Sequence, residues 1–273
     1  MGEFIQLSNS LEFHQGRLMK RDDVFSHNLE LFPLDVLSID PTRKGADSTG
    51  LVTAIDGYPY TAKSARTRRD LPLNEWLCYQ LAEACGIAVP TNKILRMPDD
   101  ELVFGSRWVG GTYTQTGSVN TPDQLVRRLF APERLWAILA FDLFIHNLDR
   151  RIANLLFLPV DGKTNVLAID FSRALLHHPA PFPPLSHIPN DCNTLLLARW
   201  VNTMVRPSFG ECERVLNALD QVKAAHLMEW SRRTPEAWRS ITQLNELLVW
   251  WESEHKSARL QEIKDGLWNG SLI

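Results

Sequence analysis

Apolar and polar positions fall into two regimes along this chain. Between residues 36 and 105 the apolar runs are short and alternate with polar residues, the period-two signature of strands. Val36 to Ile39 reads as one strand, closed by Pro41. Leu51 to Ile55 and Tyr58 to Ala65 flank the tight-turn pair Asp56-Gly57, and Asn92 to Met97 and Glu101 to Gly105 flank Pro98-Asp99-Asp100. One helix interrupts them. Trp76, Leu77, Gln80, Leu81 and Ala84 recur at helical spacing after Leu71, Asn74 is a candidate cap, and Gly86 is the stop. Beyond Gly111 the period changes. Thr121-Pro122-Asp123 caps a helix through Leu129, and Pro132-Glu133-Arg134 opens a long apolar helix that ends before Asp149. Residues 193–205, 208–221, 223–232 and 235–264 carry further amphipathic patterns. A hairpin, Leu155 to Leu158 and Val166 to Ile169 around Asp161-Gly162, breaks this second half. The expected fold is α+β and two-lobed. An N-terminal extension spans 1–35, a small antiparallel-sheet N-lobe 36–110, and a larger, mostly helical C-lobe 111–273, with Gly110-Gly111 as the linker.

Composition narrows the class. The 273 residues are 44% hydrophobic and 22% charged, enough to bury a core and too apolar for disorder. A net charge of −3 gives no basic excess for nucleic acid, so no direct nucleic-acid binding is expected. Cys78, Cys85, Cys192 and Cys212 form no CxxC pair, which argues against a zinc ribbon or disulfide framework and fits a reducing cytosol. No signal peptide and no membrane span are expected, so the anticipated location is cytoplasmic. Five of the nine tryptophans (Trp230, Trp238, Trp250, Trp251 and Trp268) crowd the C-terminal helices, as core packing or as a surface for a protein partner.

Candidate chemistry concentrates around the second-half hairpin. Asp149 and Asn154 lie on the loop entering its first strand, and Asp170 ends its second. Antiparallel strands open both ends on one side, so two acids and an amide converge there. An acid to orient an acceptor hydroxyl, with an amide and a second acid for a metal, is what a magnesium-nucleotide phosphotransferase needs. Taken singly, each residue is equally a turn former or a helix cap. His177 and His178 lack a Cys or carboxylate at ligand spacing.

The first half offers a complement. Strand alternation puts Lys63 opposite Tyr60 and Ala62, flanked by small residues, and Glu75 follows twelve residues later on a helix. Such a pair holds nucleotide phosphates in kinase-like sites. The other reading is a solvated lysine and a first-turn glutamate favoured by the helix dipole. The loop Gly45 to Gly50, with Ser48 and Thr49, reads as a flap whose backbone amides reach phosphate oxygens, or as an ordinary surface loop. Arg66 to Arg69 is a basic loop, either solvated or facing an acidic acceptor. Trp108 or Val109 reads as lining the apolar face of an adenine ring, with plain core packing an equal reading for Trp108.

Together these segments (the 45–50 loop, Tyr60-Thr61-Ala62-Lys63, Leu73-Asn74-Glu75, Phe104 to Trp108, Asn147-Leu148-Asp149 with Asn154, and Ala168-Ile169-Asp170-Phe171-Ser172) resemble the HipA-like kinase superfamily, its short single-module branch. The resemblance spans roughly residues 36–180. It implies a protein-kinase-like fold and an ATP-dependent, Mg2+-assisted phosphotransferase, foremost a protein serine/threonine kinase. Lys63 would contact phosphate with Glu75 as its partner, Asp149 would be the catalytic acid, and Asn154 and Asp170 would bind magnesium. The loop containing Ser48 or Thr49 would be the place of self-phosphorylation. One departure stands out. Arg151 occupies the position, two after the acid, where the family commonly has His. Arginine cannot exchange protons near neutral pH but can stabilise transferring phosphoryl charge. The alternatives are a lipid or small-molecule hydroxyl kinase, or a nucleotide-binding pseudokinase serving as an interaction module.

Overall fold

The computed structural model describes residues 32–40, 42, 47–112 and 121–272. Five strands come first: β1 (Leu34–Asp40), β2 (Gly50–Ala54), β3 (Pro59–Lys63), β4 (Asn92–Arg96) and β5 (Leu102–Arg107). They close into a barrel in the order β1-β2-β3-β5-β4. Alternate residues point inward, so Val36, Val52, Ala54, Tyr60, Ala62, Leu95 and Val103 form a small core of their own. The Asp56-Gly57 turn forms as expected, with Gly57 at φ +79° and its N–H donating to the Ala54 carbonyl. At Gly105 a Cβ would sit 2.5 Å from Leu95 Cδ1, so only glycine lets Leu95 fill the barrel.

Two expectations about this region are corrected. The sheet is not wholly antiparallel, because β1 and β4 pair in parallel (Leu34 with Leu95, Asp35 with Arg96) and close the barrel. The last strand also runs past its expected end at Gly105, through Ser106 and Arg107, which pair with Thr61 and Tyr60.

α1 (Leu71–Ala84) lies between β3 and β4, with Pro72 in its first turn and Gly86, at φ +68°, after its end. Its N-cap is Asp70, not Asn74. Asn74 is buried and does something else. Its amide donates to the Phe171 carbonyl at 2.7 Å and its Oδ1 accepts from the Leu176 N–H at 3.0 Å, tying the helix to the segment after β7.

In the second half, α2 (Pro122–Arg127) begins with a Thr121–Gln124 capping box. α3 (Arg134–Phe144) is buried from Leu135 to Phe144, as befits a helix apolar on every face. The hairpin β6 (Leu155–Val160) and β7 (Lys163–Ala168) turns at Asp161-Gly162, both with positive φ, the backbone of a two-residue I′ turn. Helices α4 (Asn193–Asn202), α5 (Phe209–Gln221), α6 (Ala224–Arg232), α7 (Ile241–Trp251) and α8 (Glu254–Trp268) complete the fold. The expected continuous helix over 235–264 is instead a 3-10 turn (Glu236–Trp238) followed by α7 and α8. Trp250 and Trp251 are adjacent yet both buried, and the break at Glu252-Ser253 redirects the chain so that Lys256 and Arg259 also turn inward. A second, larger core unites α1, α3, the hairpin and these helices. Among the described residues, no helix is long and apolar enough to cross a membrane.

Candidate active site

Lys63 is the last residue of β3, on the face opposite Tyr60 and Ala62. It therefore leaves the barrel core and meets α1. Its Nζ donates to Glu75 Oε1 and, at 2.7 Å, to Asp170 Oδ1. Glu75 is wholly buried, and its other oxygen has no hydrogen bond among the described residues. Burial pushes the Glu75 carboxyl upward, against the pull of Lys63. Burial also works against the Lys63 ammonium, but Glu75 and Asp170 outweigh it and raise its pKa. Asp170 is held well below the usual carboxylate range: burial opposes its charge, but Lys63, Ser172 and Arg150 prevail. The surface-lysine reading is thus excluded, since a buried lysine persists as a cation only with such partners.

Asp170 follows β7 at φ +60°, a left-handed backbone that a non-glycine residue adopts at a local cost. Its Oδ1 also accepts from the Ser172 hydroxyl at 2.7 Å, and that oxygen lies 3.0 Å from Asp47 Oδ2. The Asp170 side chain remains 41% exposed, open toward solvent rather than sealed.

Asp149, Arg151 and Asn154 form a second group on the loop between α3 and β6. Asp149 Oδ1 accepts from Arg151 Nε at 3.0 Å and Nη2 at 2.9 Å, and from Asn193 Nδ2 at 2.5 Å. The Asn154 amide donates to the Asp149 backbone carbonyl at 3.2 Å, which turns Asn154 Oδ1 away from that carbonyl.

Arg150 joins the two groups. It is fully buried and grips Asp142 of α3 with Nε at 2.7 Å and Nη2 at 2.9 Å. Its Nη1 donates to the carbonyls of Asn154, at 3.0 Å, and of Ile169, the residue before Asp170. One guanidinium thereby fixes the backbone at both residues expected to bind metal. Asn147 adds a hydrogen bond to Asp142 at 2.7 Å, and Thr194 of α4 receives the Arg150 N–H at 3.0 Å.

Of the anticipated site residues, the structure brings Lys63, Glu75 and Asp170 into direct contact, and Asp149, Arg151 and Asn154 into a linked group. Ser48, Thr49 and Gly50 stand at the start of β2, one strand from Lys63, with Gly50 opposite Ala62. Their hydroxyls are engaged locally: Thr49 Oγ1 donates to the Ala62 carbonyl at 3.1 Å, and Ser48 Oγ accepts from the Gly50 N–H at 3.1 Å. Gly45 lies outside the described residues. Trp108, 43% exposed, and Val109 follow β5 at its Tyr60 end, while Lys63 pairs with Phe104 further along the same ladder. The basic loop is mostly spoken for, because Arg66 pairs with Asp99 and Glu101, and Arg68 with Asp70 and the Ser172 carbonyl. Residues not anticipated are Arg150, Asp142, Ser172, Asp47 and Asn193. Asp142 had a readable signal, since a charge inside an apolar helical run demands a buried partner.

A family description, HipA-like kinase, matches residues 38–255. Among solved structures, the chain is similar to the proinflammatory kinase CtkA of Helicobacter pylori, with a TM-score of 0.53 and 13% identity over 85% of this chain and 96% of that one. It is also similar, with a TM-score of 0.47 and 11% identity over 76% and 60%, to a chain of the HipA, HipB and operator DNA complex of the Shewanella oneidensis MR-1 toxin–antitoxin system. No curated protein matches it. With more than two thirds of its length covered by that family, and with a mixed α/β fold like that of CtkA, the chain belongs to the HipA-like kinases.

Proposed function

We propose that this protein transfers the γ-phosphoryl group of ATP to a serine or threonine hydroxyl of a protein, with magnesium. In this reading the barrel half, 36–110, is the small lobe of a kinase-like pair and the helical remainder the large one. The observation that carries it is the bridge of Lys63 to both Glu75 and Asp170, with Arg150 tying the Asn154 carbonyl to that of Ile169, the residue before Asp170.

The donor set suits magnesium. Among the described residues no group of three or more His, Cys, Asp or Glu could hold a metal by itself. That matches an ion that takes one or two protein oxygens and completes its shell with phosphate and water. Asp170 Oδ1 is engaged by Lys63 and Ser172, while Oδ2 has no hydrogen bond among the described residues. Asn154 Oδ1 and Asp170 Oδ2 are the atoms that would hold it. When bound, the ion would neutralise charge on the phosphate oxygens.

The chain's own residues do the rest. Lys63, kept charged by Glu75, meets a phosphate oxygen. Asp149 accepts a hydrogen bond from the acceptor hydroxyl and orients it for in-line attack. Arg151 lies beside Asp149 and supplies positive charge where phosphoryl charge passes. Ser48 or Thr49 would need to leave its backbone partner before it could accept phosphate itself.

The test is incubation with γ-labelled ATP and magnesium, followed by mapping of the labelled residue. Phosphoserine or phosphothreonine on the chain or on an added protein is expected. Label confined to a lipid headgroup or a small-molecule hydroxyl would overturn the serine/threonine assignment.

A further inference from the structure

Asn193 is the first residue of α4, one position inside the N-cap where an Asn side chain would serve its own helix. Here it does not. The N-cap of α4 is Cys192, and that helix start has no side-chain cap. Asn193 instead spends its amide across 44 residues of sequence on Asp149 Oδ1, at 2.5 Å. The hydroxyl of its neighbour Thr194 holds the backbone of the same loop, donating to the Asn147 carbonyl at 2.5 Å and accepting from the Arg150 N–H. The first turn of α4 thus holds the loop's backbone with one residue and its acid with the other.

The pattern of donors on Asp149 is one-sided. Arg151 and Asn193 all bond Oδ1, and among the described residues no hydrogen bond reaches Oδ2. Arg151 is 59% exposed, so its arm is solvated and weak. Asn193 is half-buried on a rigid helix and is the firmer arm. An open cavity of about 300 Å³ lies against these two side chains, lined also by Pro122, Asp123, Ile152 and Trp200. Lys63, Glu75, Asn154 and Asp170 do not line it. In-line transfer needs the acceptor to approach from the side away from the nucleotide phosphates, and this cavity is walled by the two hydrogen-bond partners of Asp149 rather than by Asp149 itself, with none of the phosphate-side residues.

We infer that Asn193 is a positioning residue for phosphoryl transfer: it pins Oδ1 of Asp149, so that Oδ2 is left to take the acceptor hydroxyl. This rests on the phosphotransferase reading above.

The test uses the full chain and two variants. Asn193→Asp keeps the shape but exchanges the donor for a carboxylate that repels Asp149 Oδ1, partly offset by the helix N-terminus, so a purely structural role predicts at most a modest change in thermal stability and unchanged activity. A positioning role predicts a kcat lower by about 10- to 100-fold, with KM for ATP and the nucleotide Kd unchanged. Wild-type kcat in Asn193→Asp overturns the inference. Asn193→Ala supplies a readout independent of turnover: in its crystal structure the Asp149 carboxylate should leave its present rotamer or populate two. An Asp149 that stays in place overturns the inference whether or not the protein is active. Absence of nucleotide binding by the wild-type chain would instead overturn the phosphotransferase reading itself.

Discussion

Lys63 and Asp170, 107 positions apart in the chain, meet at 2.7 Å through Nζ and Oδ1. One closes a barrel strand and the other a hairpin in the helical half, so the contact joins the two regimes seen in the sequence. Glu75 completes the triad from α1. Lys63 and Glu75 are buried while Asp170 is partly open to solvent, so the two buried charges depend on each other.

Removing Lys63 should therefore cost stability as well as chemistry. Lys63→Met leaves Glu75 buried and unpaired, and an unfolding free energy lower by about 3–5 kcal/mol is expected in urea denaturation. The double variant Lys63→Met/Glu75→Gln should recover part of that loss, because no buried charge is stranded. If the two changes cost independent, additive amounts, the pair is not coupled as described.

Arg150 should behave as a brace. In Arg150→Met no cation replaces the guanidinium that holds Asp142 and two carbonyls, and the Asp142 side chain keeps only Asn147. A loss of about 3–5 kcal/mol is expected, together with weaker nucleotide binding as Asn154 and Asp170 lose their common anchor. A variant as stable as wild type would show that the brace is redundant.

Arg151 should show the reverse. Its ion pair with Asp149 is solvent-exposed, so Arg151→Ala should change stability by less than about 1 kcal/mol. Phosphoryl transfer should nonetheless drop by about 100-fold if the guanidinium stabilises moving charge. A thermal melt and a turnover assay on one preparation separate the two effects.

The neighbouring adjacent arginines show why part of the site was legible and part was not. Lys63 stood out because strand alternation set it opposite Tyr60 and Ala62. Asp170 stood out because it ends an apolar strand. Arg150 and Arg151 look alike in sequence, yet one is fully buried and the other exposed, and only the fold of the loop around Asp142 decides which. The parallel β1–β4 closure rests on two residue pairs, too few to leave a pattern. The contact of Asn193 with Asp149 is likewise tertiary, with no local spacing to reveal it. The break at Glu252-Ser253 was hidden because both sides carry helical periodicity.

His146 gives a pH prediction. Buried against the Phe182 ring and facing Arg259 Nη2 at 3.1 Å and the His178 ring, its imidazole is pushed down from 6.5 to about 3, by burial first and by those two groups after it. The unfolded chain then binds the extra proton between those two values. Stability from this residue is present above about pH 6.5 and is lost as pH falls toward 3, at up to about 1.4 kcal/mol per pH unit. Asn tolerates the φ of +56° found here, so His146→Asn should keep the backbone and flatten the acid limb of stability against pH. An acid limb of the same slope in the variant would assign the loss to other groups.

The proposed nucleotide site at Lys63 and Asp170 is tested most directly by calorimetric titration of ATP into the full chain, with and without magnesium, alongside Lys63→Met and Asp170→Asn. Magnesium-dependent binding by the wild type is expected, with Lys63→Met weakening ATP itself and Asp170→Asn removing the magnesium dependence. Undiminished magnesium-dependent binding in both variants, or no binding by the wild type, would contradict the account.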